Sequence, residues 1–189
     1  MHGPNGGSQV TDRAELLSIV KSVVKFGDFT LSSGKKSDFY IDCRLVTLHA
    51  RGLLLTSRAM LEIIRPLKPH AVGGLTLGAD PIAAGVAIES AREGAPINAF
   101  IVRKEAKAHG AKKSIEGPEL PRGAKVVVVD DVVTTGGSTV TAIERLREEA
   151  GAEVILAVAL VDREEGGKET LEKMGVKLAS LFRKSELRG

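Results

Sequence analysis

The chain of 189 residues is about one domain long; its 43% apolar content can fill a core, and 27% charged residues argue against wholesale disorder. A net charge of +3 without clustering gives no ground for nucleic-acid binding, no apolar run approaches the about 20 residues of a membrane span, and the N-terminus lacks the apolar stretch of a signal peptide. The single cysteine, Cys43, has no internal disulfide partner, which fits a reducing compartment and a cytoplasmic globular protein.

Residues 1–11 are polar, Gly-rich and without periodicity, and are expected to form a disordered lead. From Asp12 onward Leu16, Leu17, Ile19, Val20, Val23 and Val24 recur at helical spacing, with Asp12 and Glu15 placed as a capping box. Short strands over 29–31 and 38–44 flank Ser32-Ser33-Gly34-Lys35-Lys36, the pattern of a hairpin. A helix over about 47–65 is stopped by Pro66 and Pro69.

A regular alternation follows: strand 70–75, helix 81–92, strand 97–102, strand 126–129, helix 139–149 ended by Gly151, strand 154–161, helix 168–174 and strand 176–181. Continuous Val/Ile runs predict strands covered on both faces, hence an α/β fold with a mostly parallel sheet flanked by helices. The expected organisation is a single domain over 12–189, with a small N-terminal hood over about 12–45 and a core over about 46–189. Ligands of such sheets lie beyond the carboxyl ends of the strands. Three strand ends there carry unusual loops, at 76–80, 103–123 and 130–138.

The most informative is the run from Val126 to Thr139, VVVVDDVVTTGGST. Four valines form a buried strand, and Asp130 and Asp131 are expected to emerge at its tip. Thr134, Thr135, Gly136, Gly137 and Ser138 then lead into a helix, where hydroxyls and free N–H groups form an anion site. The paired acids can accept hydrogen bonds from ribose hydroxyls, so one segment offers a phosphate cradle and a sugar clamp. Neither GxxxxGK[ST] nor a GxGxxG after a strand is present, which argues against P-loop and dinucleotide enzymes. The loop at 103–123 begins RKEAKAHG and carries five basic residues against one acid between Arg103 and Lys113. With Gly110, Gly117, Pro118 and Pro121 it reads as a cationic lid, suited to charge building on a leaving group.

The 126–139 segment resembles the 5-phosphoribosyl 1-pyrophosphate (PRPP) signature of type I phosphoribosyltransferases. RKEAKAHG, the hairpin FTLSSGKKSDFYIDCR and the strand-end VDREEGG together resemble orotate phosphoribosyltransferases, over residues 12–187. The resemblance implies transfer of ribose 5-phosphate from PRPP to orotate, giving orotidine 5′-monophosphate and pyrophosphate in pyrimidine biosynthesis. It implies that Arg103, Lys104, Lys107 and His109 contact the pyrophosphate side. Asp130, Asp131, Val132, Val133, Thr134, Thr135, Gly136, Gly137 and Ser138 would hold the ribose 5-phosphate, with Thr134 also reaching orotate. Arg163 would pair with the orotate carboxylate, a task for a bidentate guanidinium. Arg103, Lys107, His109, Asp130 and Asp131 form the implied catalytic set, Lys107 and His109 being the groups expected to neutralise or protonate the leaving oxygen. Mg²⁺ is expected on the pyrophosphate of PRPP rather than on protein side chains, and the resemblance implies a homodimer whose catalytic loop is shared between subunits.

This sequence departs from many relatives by having Ser32 in the hairpin and Gly78 in LGADP, where those relatives carry lysines. Lys35, Lys36 and the backbone of 76–80 are the candidate substitutes. His49 and His70 stand far apart and read as non-ligands, Cys43 as a packed thiol, and Glu164 and Glu165 as a solvated turn. Tyr40 and Ile41 lie where the hairpin covers the base in the family, and Ile41 fits hairpin core packing equally well. Two other readings stay open at this level: a phosphoribosyltransferase for another base, and a PRPP-binding regulator of nucleic acid.

Overall fold

In the computed structural model, which describes residues 6–30, 36–105 and 114–188, a six-stranded sheet carries the fold in the order β5-β4-β3-β6-β7-β8. Its strands are β3 (Ala71–Leu75), β4 (Asn98–Val102), β5 (Ile115–Glu116), β6 (Lys125–Val133), β7 (Glu153–Asp162) and β8 (Leu178–Arg183). All neighbours pair in parallel except β5, which runs antiparallel to β4. Five of the six strands match the sequence reading to within a few residues. β5 is new: two residues carry too little pattern to be read from sequence.

The valine run of β6 shows why this sheet is buried on both sides. Successive side chains of a strand point to opposite faces. Val127 and Val129 therefore join one core with Leu16, Met60, Ile64, Ile82 and Val86, while Val126 and Val128 join another with Ile143, Leu146 and Leu171. Helices α1 (Gly6–Ser22), α3 (Ala50–Ile64) and α4 (Ala79–Arg92) supply the first core; α5 (Gly137–Ala150) and α6 (Gly167–Lys173) supply the second. The short helix α2 (Arg44–Thr47) precedes α3, and α7 (Lys184–Leu187) follows β8.

Two corrections concern the N-terminal region. Helix α1 starts at Gly6, inside the segment expected to be disordered. Asp12 and Glu15 consequently sit within the helix and cap nothing; both reach Arg51 on α3, Glu15 through a two-pronged pair at 2.8 and 2.6 Å. The predicted helix over 47–65 is α3, which starts later, at Ala50, behind the separate short helix α2 that ends at Thr47; His49 is the N-cap of α3, and its Nδ1 accepts the Gly52 N–H at 3.3 Å. That contact gives His49 a local structural task.

The hairpin strands β1 (Val24–Thr30) and β2 (Lys36–Ile41) pair antiparallel as a separate two-stranded sheet. The segment between them, including Ser32 and Lys35, lies outside the described residues. Ile41 is buried in the first core, whereas Tyr40 is exposed and tilts against Phe29. Core packing is thus the reading that holds for Ile41. Lys184 and Arg188 both pair with Asp38, tying the hairpin to the chain's C-terminal end.

Candidate active site

The chain goes from β3 through α4 to β4 on one side, and from β6 through α5 to β7 on the other, so the loops after β3 and β6 diverge. That divergence opens a crevice at the carboxyl edge of the sheet, the place where such folds bind ligands. The ends of β3, β4, β6 and β7 bring to this edge the 76–78 turn, Arg103, the 134–138 loop and Arg163.

The 134–138 loop lines a pocket of about 190 Å³ together with Asp130, Val132, Val133 and Thr139. Gly136, at the N-cap of α5, has φ of 87°, a left-handed conformation that favours glycine. Helix α5 begins immediately afterwards, so unpaired N–H groups and the positive end of its dipole face the pocket.

Asp130 and Asp131 do not emerge at a strand tip. β6 continues through them to Val133, with Asp130 opposite Ala159 and Val133 opposite Asp162 on β7. Both acids are therefore buried, at 6% and 8% exposure. Asp130 accepts the Thr139 hydroxyl at 3.2 Å and the Asp131 N–H at 3.0 Å; Asp131 accepts the Val132 N–H at 2.9 Å. Burial, followed by the neighbouring charge of Asp131, pushes the Asp130 carboxyl up to about 8. Burial raises Asp131 as well, although its hydrogen bonds from Asp130 and Val132 pull the other way. A pair of acids pressed together out of water holds one proton more readily than two isolated ones.

Gly78 packs directly against this pair. A Cβ there would stand 2.3 Å from Asp131 Oδ1 and 3.1 Å from Asp130 Oδ1. The position has no room for the lysine of many relatives unless the carboxylates move. Beside it, the Thr76 hydroxyl donates to Asp80 Oδ2 at 2.7 Å, bracing the turn across α4's first residues. The buried Asp80 Oδ1 has no hydrogen-bond partner among the described residues.

Arg163 follows β7 and is only 7% exposed. Its N–H donates to Val133 O at 2.9 Å, which places it next to the 134–138 loop. Its Nη2 meets Ser37 Oγ at 3.1 Å, the Phe39 carbonyl at 3.3 Å and Glu165 Oε1 at 2.8 Å, and its guanidinium lies 5.5 Å from the Phe39 ring centre. Its Nε is buried with no acceptor among the described residues, an arrangement that leaves it open to an anionic or carbonyl oxygen. The expected solvated turn holds for Glu164, which is exposed, and is corrected for Glu165, which is partly buried against Arg163. Glu165 holds Arg163, and Glu164 accepts the Ser185 N–H at 2.9 Å and its hydroxyl at 3.2 Å.

On the far side of the crevice, the Arg103 N–H donates to Ser114 O at 2.8 Å and its guanidinium lies 3.4 Å from Glu116. Lys104 follows at the end of β4. Lys107 and His109 lie outside the described residues. Cys43 is a buried thiol whose titration is raised well above the usual range, mainly by burial, as expected of a packed rather than a nucleophilic cysteine.

Sequence reasoning missed Thr139 as the partner of Asp130, and Ser37 and Glu165 as the partners of Arg163. The hydroxyl of Thr139 stood within the recognised motif, but nothing in its spacing said that it would reach back nine residues.

A pocket-lining Thr/Gly/Ser loop at a helix start, a buried acid pair and a buried arginine meet around one crevice, and residues 48–182 match the family described as the phosphoribosyl transferase domain. The orotate phosphoribosyltransferase of a Nostoc species is 50% identical over 91% of this chain and 83% of its own. That of Aquifex aeolicus is 48% identical over 93% and 97%. The Mycobacterium tuberculosis orotate phosphoribosyltransferase in complex with PRPP superposes with a TM-score of 0.78 at 38% identity, covering 94% of this chain and 99% of that one. The chain belongs to the orotate phosphoribosyltransferase family.

Proposed function

We infer that this chain performs the reaction of its family, transfer of the 5-phosphoribosyl group from PRPP to orotate, a step of pyrimidine biosynthesis, and that the residues above divide the work. The observation that carries this reading is the Arg163 N–H to Val133 O hydrogen bond, 2.9 Å, which puts Arg163 beside the 134–138 loop and so supports reading the two as carboxylate receptor and ribose-phosphate cradle. The 5-phosphate is assigned to the backbone and hydroxyls of 134–138 at the start of α5. The ribose hydroxyls are assigned to Asp130 and Asp131, with Val132 and Val133 contributing backbone, and the orotate carboxylate to Arg163, with Thr134 close to the ring.

The chemistry then needs no covalent intermediate on the protein. Orotate's ring nitrogen forms a bond to C1 of the ribose as the C1–O bond to pyrophosphate breaks, and that electron pair leaves with the pyrophosphate. Arg103, Lys104, Lys107 and His109 are assigned to the charge that grows there. The fixed crevice contributes by holding the two reactants in line. Mg²⁺ is proposed to arrive on the pyrophosphate as part of the substrate, and no step is assigned to it. The described residues contain no cluster of three or more His, Cys, Asp or Glu placed to hold a metal.

A homodimer with loops exchanged between neighbouring sites is part of this reading. Its support on the surface is a groove of about 740 Å³ lined by Leu45, Leu48 and Leu77 together with Arg44, His49 and Pro81. The three leucines are 60%, 72% and 65% exposed, a clustering that a lone soluble subunit rarely keeps. Among the described residues no helix is long and apolar enough to cross a membrane; a cytoplasmic enzyme remains the proposal.

The test is an absorbance assay with purified protein, Mg²⁺, PRPP and orotate, run in parallel with uracil, adenine, hypoxanthine and guanine. PRPP-dependent loss of orotate alone is the expected result. Turnover of another base would keep the PRPP site and discard the assignment of Arg163. Binding of PRPP without any turnover would favour a regulatory protein.

A further inference from the structure

We propose that Arg145 and Glu149 of α5 are positioning residues that clamp both ends of the 103–114 segment and thereby fix Arg103 and Lys104 relative to the phosphate loop. The proposal rests on the assignment of Arg103 and Lys104 to the pyrophosphate side.

The two residues are four apart on α5 and so share one face of the helix. Arg145 uses both arms of its guanidinium on consecutive carbonyls at the end of β4: Nη1 donates to Arg103 O and Nη2 to Lys104 O, the latter at 2.6 Å. Glu149 takes the other end. One of its oxygens accepts the Ser114 N–H at 2.7 Å and the other accepts the Ser114 hydroxyl at 2.6 Å. Ser114 is itself buried, and its carbonyl receives the Arg103 N–H, which closes the base of the segment. The anchorage therefore consists of four contacts from two side chains, all charge-assisted, the strongest class of hydrogen bond available here.

The placement of Arg145 is informative on charge grounds. It brings a third cation to the start of a stretch that already holds Arg103 and Lys104, an unfavourable choice unless the carbonyls compensate. A lysine would satisfy a single point, whereas the planar fork reaches both carbonyls at once.

The helix that carries the clamp also carries the cradle. α5 begins at Gly137, directly after the phosphate loop, so Arg145 lies about 12 Å and Glu149 about 18 Å along the same axis. Neither lines the phosphate pocket. A rigid helix thus sets the distance between the site of the 5-phosphate and the cations assigned to the opposite end of PRPP. Misplacement of a charged group by a fraction of a turn costs transition-state stabilisation more than ground-state binding.

Steady-state kinetics of Arg145→Ala and Glu149→Gln test the proposal, with Lys104→Ala as reference. The expected result in both clamp variants is a kcat lowered by about tenfold or more while KM for PRPP and for orotate each move less than about threefold. Tryptic cleavage after Lys104 should accelerate at nearly unchanged Tm, and Arg145→Lys should recover part of the kcat. Should Arg145→Ala fail to fold, Ser114→Ala, which removes one hydroxyl from Glu149, carries the same split with a smaller loss of about threefold. Wild-type kcat in the clamp variants alongside a lowered kcat in Lys104→Ala overturns the clamp alone. An unchanged kcat in Lys104→Ala removes the assignment beneath it, and the clamp falls with that assignment.

Discussion

Gly78 stands against Asp131 so closely that a single added methyl group would lie 2.3 Å from Oδ1 of the carboxylate. The turn after β3 and the acid pair of β6 therefore form one surface, and the side chain that is missing at position 78 is part of how that surface fits. Gly78→Ala should displace Asp131 and lower kcat/KM for PRPP by about tenfold, with Tm reduced only slightly. Initial-rate kinetics with PRPP varied would check this, and wild-type values would show that the turn yields without disturbing the acids.

The acid pair should also leave a signature in the stability of the substrate-free protein. Asp130 is raised to about 8 by burial and by Asp131, so between its unfolded value and that pH the folded state holds a proton that the unfolded chain releases. Folding stability from this group is thus fully present at low pH and declines as pH rises toward 8. Asp130→Asn removes the penalty. It should raise Tm by about 2–4 °C relative to the parent at pH 9, with little or no gain at pH 4, while reducing PRPP binding. Thermal unfolding at the two pH values decides it; an equal change at both would mean that Asp130 ionises freely.

Arg163 offers a cleaner separation of substrates. Arg163→Lys retains the charge but loses the planar fork and the buried Nε, so KM for orotate should rise by about a hundredfold while PRPP affinity changes less than about threefold. Titration of PRPP in the absence of orotate supplies the second arm. A matching loss of PRPP binding would indicate that the arginine chiefly supports the hairpin through Ser37 and Phe39.

Loop exchange across a dimer can be read by complementation. Lys107→Ala and Arg163→Ala subunits should each be nearly inactive alone. If the loop serves the neighbouring site, random mixing restores about a quarter of parental activity, because half of the dimers then carry one intact site. No recovery after confirmed subunit exchange would place loop and crevice in the same subunit. Leu48→Glu, within the apolar groove, should shift the protein toward monomer in analytical ultracentrifugation.

Much of this arrangement was already legible in the residues. Uninterrupted valines and isoleucines can only be strands covered twice, and that periodicity carried the parallel sheet, the order of its helices and the edge at which to look. The hydroxyl and glycine run from Thr134 to Ser138 could be read as a pocket-lining loop that opens a helix because its residues are consecutive, whereas Arg163 was singled out only through the resemblance of VDREEGG to the family. Asp130 and Asp131 were found by type but placed wrongly: whether an acid projects from a strand end or continues it depends on the neighbouring strand, and β7 pairs with β6 as far as Val133.

Tertiary structure alone decided the rest, for one physical reason. Hydrogen bonds between groups far apart in sequence leave no periodic trace. Glu165 on Arg163 is local but was indistinguishable from a solvated acid until burial was known; Thr139 on Asp130, Gly78 against Asp131, and Arg145 with Glu149 on the ends of 103–114 require the packing of α4 and α5 on the sheet. Composition and pattern determined which elements form and which chemistry they bring. Three-dimensional packing determined the distances between those chemistries, and hence which residues hold others in place.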